Sequence, residues 1–358
     1  MRNLGVICCS VGLTALLVPT GAFAITIDTT TPVWTTPSYS YYLNNNFDGD
    51  TLLAGVLQSG AYGYATADGS VVGSIAGADN STEGYYFPNW NNTAQQWQNT
   101  GAKSVIRLGD YYYATHGDGW GIARFNTSWE ESSFSGDGTT SSTSFVNPTD
   151  PNNGHSVGPE SITTDGVYIY TNDDVVRDRI HAYSVAEDST DTGFTLNEEW
   201  SVDLPDGGRV RGLTYDSDSG YLYMHNGGAG SSGTGGNTLY AIDTATHTAH
   251  KMGTHIEGDY CYQALRYGDE VLVFGYSGDI TAYELTNDYT IGAETSTTDL
   301  NIDVLWGAAI QDNVLFVANG KTMLTAFNII TEEIPEPGTM LLALLGAVCL
   351  LRRPRRRC

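Results

Sequence analysis

Positive charge is nearly missing from the body of this 358-residue chain. Of its 16 lysines and arginines, Arg2 and five arginines between Arg352 and Arg357 sit at the ends. Residues 25–334 hold the other 10 against 40 acidic side chains, a formal charge of −30. A surface of that sign repels phosphate backbones and anionic lipid, which excludes DNA and RNA as partners. It attracts cations and keeps a protein soluble outside the cell. Cysteine is just as scarce. Cys8, Cys9, Cys349 and Cys358 lie in the end segments, which leaves Cys261 alone in the body. An intramolecular disulfide is therefore excluded there, and packed sheets must hold the fold by themselves.

Other absences narrow the chemistry. The 7 histidines never fall in HxH or HxxxH spacing, so no zinc site is written in the chain. No Ser, His and Asp spacing marks a hydrolytic triad. Asp216-Ser217-Asp218-Ser219-Gly220 starts like a calcium loop but lacks the later oxygen ligands and the distal Glu, and it reads as a turn. Long amphipathic helical patterns are missing from the middle of the chain.

What is present is a repeat. Apolar runs centred on Leu52, Tyr112, Tyr168, Leu222, Leu272 and Leu315 follow one another at intervals of 60, 56, 54, 50 and 43 residues. Each follows a turn pair: Gly49-Asp50, Gly109-Asp110, Asp165-Gly166, Ser219-Gly220, Gly268-Asp269 and Asp312-Asn313. Such pairs supply the positive φ of tight hairpins. A further strand recurs at residues 62–65, 121–125, 180–183, 239–242, 280–283 and 323–327, and several units continue into a fourth. A period near fifty with four strands per unit is the pattern of a β-propeller with six four-stranded blades. A sandwich has no such period, and a solenoid repeats faster.

The innermost strand of each blade belongs just before its turn. Ile106, Ile162, Leu213, Leu265 and Ile310 align there, behind Val105, Ser161, Gly212, Ala264 and Ala309. In the first unit Tyr41 to Leu43 takes this place. Two positions before each aligned apolar residue stand Ser104, Glu160, Arg211, Gln263 and Ala308, expected at the rim of a central channel. Glu160 and Arg211 are the polar candidates for its mouth. Loops on the same face carry His116, Asn172, His225, Asn226, Asp279 and Asn319. A catalytic reading would use Glu160, Arg211, His116 and His225, since carboxylates at a channel mouth can cut glycosidic bonds. A binding reading uses Glu160 and Arg211 with Trp90, Trp97 and Trp120, whose ring faces suit the apolar faces of sugars. No cofactor is required. Ca²⁺ is the one ion with a candidate place, at Asp173 and Asp174, because adjacent carboxylates repel unless a cation neutralises them.

The two ends read as addresses. Arg2, the apolar run Val6 to Val18 and Ala22-Phe23-Ala24 form a secretory signal helix over residues 1–24, cleaved to leave Ile25 first. Residues 25–333 are the propeller body, and 334–358 form a tail. There Pro335-Glu336-Pro337 precedes the apolar run Met340 to Leu351 and then the arginine cluster. Twelve helical residues span about 18 Å, short of a hydrocarbon core of about 30 Å. The cluster holds the end on the cytoplasmic side.

This tail resembles the PEP-CTERM sorting domain, with Ile334 where that family more often has Val. The resemblance implies an exosortase as processing partner and a transient inner-membrane anchor. It also implies export in a Gram-negative bacterium that makes extracellular polysaccharide, ending at the cell surface or in the biofilm matrix. The sequence therefore leads to a non-catalytic structural or adhesive module, with extracellular polysaccharide or a matrix protein as its contact. The alternative is a propeller hydrolase or lyase acting on that polysaccharide.

Overall fold

The computed structural model describes residues 24–36, 41–56, 60–76, 88–91, 96–99, 102–116, 122–129, 145–146, 159, 161–172, 179–187, 194–205, 210–226, 238–254, 261–302, 304–319 and 323–332. Ile25–Ile330 is one compact unit. The expected signal helix and the short hydrophobic tail helix lie outside the described residues.

The chain begins with β1 (Ala24–Ile27) and β2 (Trp34–Thr35). Blade 1 follows as β3 (Tyr41–Asp48), β4 (Thr51–Val56), β5 (Gly60–Ala65) and β6 (Val71–Ala76). A separate hairpin pairs β7 (Pro88–Asn91) with β8 (Gln96–Asn99). Blade 2 is β9 (Ala102–Leu108), β10 (Tyr111–His116), β11 (Ile122–Asn126) and β12 (Phe145–Val146). Blade 3 is β13 (Ile162–Thr164), β14 (Ile169–Asn172), β15 (Arg179–Glu187) and β16 (Phe194–Asp203). Blade 4 is β17 (Val210–Asp216), β18 (Tyr221–Asn226), β19 (Thr238–Asp243) and β20 (Thr248–Thr254). Blade 5 is β21 (Cys261–Tyr267), β22 (Glu270–Gly275), β23 (Asp279–Asn287) and β24 (Thr290–Asp299). Blade 6 is β25 (Leu305–Gln311), β26 (Val314–Asn319) and β27 (Met323–Glu332), with β1 and β2 laid along β27.

These six sheets form a ring. β3 touches β9, β9 touches β13, and contact passes through β17, β21 and β25 back to β3. The fold is an all-β propeller of six four-stranded blades, as the repeat predicts. Each blade is buried on both faces, which is why its second strand is rich in Val, Leu, Tyr and Phe.

The blades touch through aromatic seams. Trp129, in the turn after β11, lies over Gly63 and Gly73 of blade 1, where a Cβ on either glycine would collide with its indole. Arg124 is buried in the seam between blades 2 and 3, 4.2 Å from the Tyr111 ring centroid and 5.1 Å from that of Phe194. Trp200 stacks on His247 at 4.6 Å between blades 3 and 4. Phe316 meets Trp34 at 5.6 Å and Phe47 at 5.9 Å where blade 6 returns to blade 1. The few basic side chains serve these seams too. Arg107 pairs with Asp48, and Arg266 reaches Asp216 at 3.3 Å and Asp288 at 3.0 Å.

The two ends of the body close the ring together. β27 comes from its C-terminal end and β1 from its N-terminal end. The amide of Asp28 donates to Asn328 O at 3.0 Å, and that of Val33 donates to Ala326 O at 2.8 Å. Ile25 and Ile27 sink into the core shared by blades 5 and 6, beside Phe327 and Ile329. Trp34 Nε1 donates to Thr66 O at 2.8 Å, tying this closure to blade 1.

Local readings need three corrections. Val167 and Tyr168 were expected in a strand, but β14 starts at Ile169. Asp165 Oδ1 accepts from the amides of Val167 and Tyr168, both at 2.8 Å, and this longer turn consumes both residues. The turn of blade 4 likewise spans residues 217–220, with Asp216 Oδ2 accepting from the Ser219 amide and hydroxyl. It is a turn, as read, rather than a calcium loop. Third, the five aligned apolar residues are not all equivalent. Ile106 and Leu265 stand two rungs from their closing pairs, opposite Tyr113 and Leu272. Ile310 stands one rung out and Leu213 three, opposite Leu315 and Met224. A one-residue offset turns a side chain to the other face, so the strands are equivalent but these positions are not.

Candidate functional site

The hub carries the densest buried polar structure among the described residues. It starts from Asn44-Asn45-Asn46 on β3. Between the pairs Leu43↔Ala54 and Phe47↔Leu52, three residues of β3 face only one of β4, so the strand bulges. The bulge brings β3 close to β13 and even to β17 in blade 4. Asn46 Nδ2 donates to Ile162 O at 3.0 Å, passing over blade 2 to reach blade 3.

A belt of hydrogen bonds runs round the ring from there. Asn44 Nδ2 donates to Ser104 Oγ at 2.8 Å, joining blades 1 and 2. Ser104 Oγ donates to Ile162 O at 2.9 Å, joining 2 and 3. Ser161 Oγ accepts from the Leu213 amide at 3.0 Å, and Asn172 Nδ2 donates to Val210 O at 2.7 Å, joining 3 and 4. Gln263 Nε2 donates to Thr214 Oγ1 at 3.0 Å, and its Oε1 accepts from the Ala308 amide at 2.7 Å, joining 4, 5 and 6. The Ile310 amide donates to Asn45 Oδ1 at 2.8 Å and closes the circle. Every joint of the ring is therefore riveted by a short polar side chain on a neighbour's main chain or hydroxyl. Gly307, with φ +117°, makes the last joint tight, since a Cβ there would strike the Leu43 carbonyl.

This belt corrects one expectation. Ser104, Gln263 and Ala308 are not at a channel rim; they are buried in the blade joints. A polar group in so crowded a hub cannot keep its water, so it bonds to the adjacent strand instead. The three consecutive asparagines were the available signal, because Asn is depleted in strands and favours irregular backbone.

The other candidate residues do not assemble into one described site. Glu160, Trp120, Asp173 and Asp174 lie outside the described residues. Arg211 is the second residue of β17 and His116 the last of β10, with both side chains outside them. His225 is fully buried inside β18, opposite Leu239, rather than in a loop. Asn172 and Asn226 are likewise buried at strand ends. Trp90 and Trp97 stand directly opposite each other in the β7–β8 hairpin. Cys261 is a buried thiol at the start of β21. No group of three acidic, His or Cys side chains suited to a metal occurs among the described residues.

A different cluster lies at the seam of blades 4 and 5. His250 and Tyr289 stack at 4.3 Å with planes 21° apart, and Tyr221 lies 6.1 Å from Tyr289. Tyr223 Oη donates to Asp288 O at 2.7 Å beneath them. Burial first, then the carboxylates of Asp243 and Asp288, push the Tyr221 phenol above its ordinary pKa. Elsewhere in blade 5, Glu270 is 4% exposed, and its burial pushes the carboxyl above its ordinary value near 4.5.

The tail, including Pro335, Glu336 and Pro337, lies outside the described residues, and its sequence is what identifies it. Residues 333–357 match the PEP-CTERM protein-sorting motif. The motif implies export, processing by an exosortase and a membrane-associated C-terminal tail in a Gram-negative bacterium. The chain matches no curated protein. Among solved structures it is similar to a chain of a mitotic checkpoint complex, at 13% identity, covering 92% of this chain and 100% of that one, with a TM-score of 0.50. It is also similar to the WD40 domain of Neurospora crassa Pan2, at 10% identity, covering 85% and 96%, with a TM-score of 0.48. BamB from Moraxella catarrhalis is a third, at 13% identity, covering 80% and 84%, with a TM-score of 0.41. At 13% identity the checkpoint-complex chain shares the fold and nothing more. The chain thus carries a PEP-CTERM sorting motif on a six-bladed β-propeller.

Proposed function

We propose that this protein is a non-catalytic structural or adhesive module, displayed at the cell surface or in the extracellular matrix and binding glycan there. The observation that carries this reading is the hub. Propeller rings can hold ligands and chemistry at the axis, but here Asn46 spans from blade 1 to blade 3, and the buried polar side chains of the belt bond to neighbouring strands. Such a ring is a rigid scaffold whose outer surface remains for contact. The sorting motif supplies the address, and the acidic body suits an exported, soluble display module.

Incubation of the purified protein with the producer's own extracellular polysaccharide tests the reading. Co-sedimentation without shortening of the polymer is expected. Depolymerisation that disappears in Glu160→Gln would instead establish the enzyme. Sorting has its own test: replacing Pro335, Glu336 and Pro337 together by alanine should leave uncleaved, membrane-held chain on immunoblots of fractionated cells. Normal release of that variant would remove the sorting claim.

A further inference from the structure

The geometry points to a saccharide-binding site at the seam of blades 4 and 5, built on Tyr289, His250 and Tyr221 and selective for glycans that carry free amino groups. It rests on the binding reading above and names its ligand class. Tyr289 sits in the two-residue turn between β23 and β24 and is 39% exposed. One side of its ring packs on the His250 imidazole at 4.3 Å, which fixes the ring's orientation. Tyr221 extends the surface at 6.1 Å with its ring tilted by 31°.

The turn itself has no need of an aromatic ring. Its backbone is held by Asn287 Oδ1, which accepts from the Tyr289 amide at 3.0 Å. A fixed, half-open aromatic ring on a hairpin tip is the kind of platform on which the C–H face of a pyranose stacks.

Charge selects among sugars. Asp288 and Asp243 flank the rings, and the Asp288 side chain is 48% exposed even while it receives Arg266. Burial would raise the Asp243 carboxyl, but hydrogen bonds from Thr246 and Ala245 and the nearby His250 hold it below its ordinary value. Asp243 is therefore ionised at neutral pH. Carboxylates beside π faces, on a body of formal charge −30, attract an ammonium group and repel a uronate.

Titration calorimetry at low salt, with hexamers of glucosamine, N-acetylglucosamine and galacturonate, tests this. The glucosamine hexamer should bind, the acetylated one roughly fivefold or more weakly, and the galacturonate hexamer not at all. Tyr289→Ala should weaken glucosamine binding roughly tenfold, and Tyr289→Phe should retain it, both with unchanged thermal melting. Binding undiminished in Tyr289→Ala overturns the site while leaving the scaffold reading intact. Equal binding of acetylated and free-amine hexamers, or binding of neither, overturns it as well. Shortening of polysaccharide by the protein defeats the scaffold reading whatever Tyr289 does.

Discussion

Gln263→Ala should lower the thermal melting midpoint by roughly 5–10 °C, a shift expected of about 2–5 kcal/mol in a domain of this size. Gln263 is fully buried and serves two joints at once. Its amide nitrogen donates to Thr214 Oγ1, and its oxygen accepts from the Ala308 amide. Alanine leaves both partners buried without it, and each orphaned polar group costs about 1–3 kcal/mol. The lost volume adds a cavity. Gln263→Met separates these effects, since it fills the space yet leaves the Ala308 N–H unsatisfied. If the belt matters, methionine recovers only a minor part of the loss. A midpoint within about 2 °C of the parent in Gln263→Ala would show that the belt contributes little.

Ile27→Asp is expected to open the ring. Ile27 is 6% exposed, packed in the core of blades 5 and 6 with Ile25, Phe327 and Ile329. Removing it forfeits about 1.5–3 kcal/mol of burial, and an unpaired carboxylate in that core costs several more. With β1 displaced, β27 presents a bare strand edge, which invites pairing with another chain. Size-exclusion chromatography should show self-association, and limited proteolysis should cut before the main body does. Thr26→Asp is the control, because Thr26 is exposed on the same strand. Equal behaviour of the two variants would mean that the N-terminal strand is dispensable for closure.

Much of the architecture was legible in the chain because hairpin turns and alternating apolar runs are local signals. Gly109-Asp110 and Gly268-Asp269 mark their turns to the residue. The tail was legible for a similar reason: a short motif, a short apolar run and a charge cluster are contiguous. Register was less so. Ile310 and Leu213 looked equivalent to Ile106, but Ile310 lies one rung nearer a turn of the same length, and the turn after Leu213 has four residues, which resembles one of two until its Asp is seen to bond. The role of the belt was hidden further, since Ser104 and Gln263 in isolation look like solvent-facing rim residues.

From the amino-acid order alone came the propeller class, the placement of most strands, the sign of the surface and the address at the C-terminal end. Each depends on neighbours within a few residues or on simple composition. The closed ring of six blades came from the fold. Folding in three dimensions decided how Asn44, Asn45 and Asn46 enter the hub, how one glutamine joins three blades, and how His250 comes to lie under Tyr289. Those pairings join residues about 40 to more than 250 positions apart. No local pattern encodes them, because what selects each partner is the loss of water at a joint that exists only once the ring has closed.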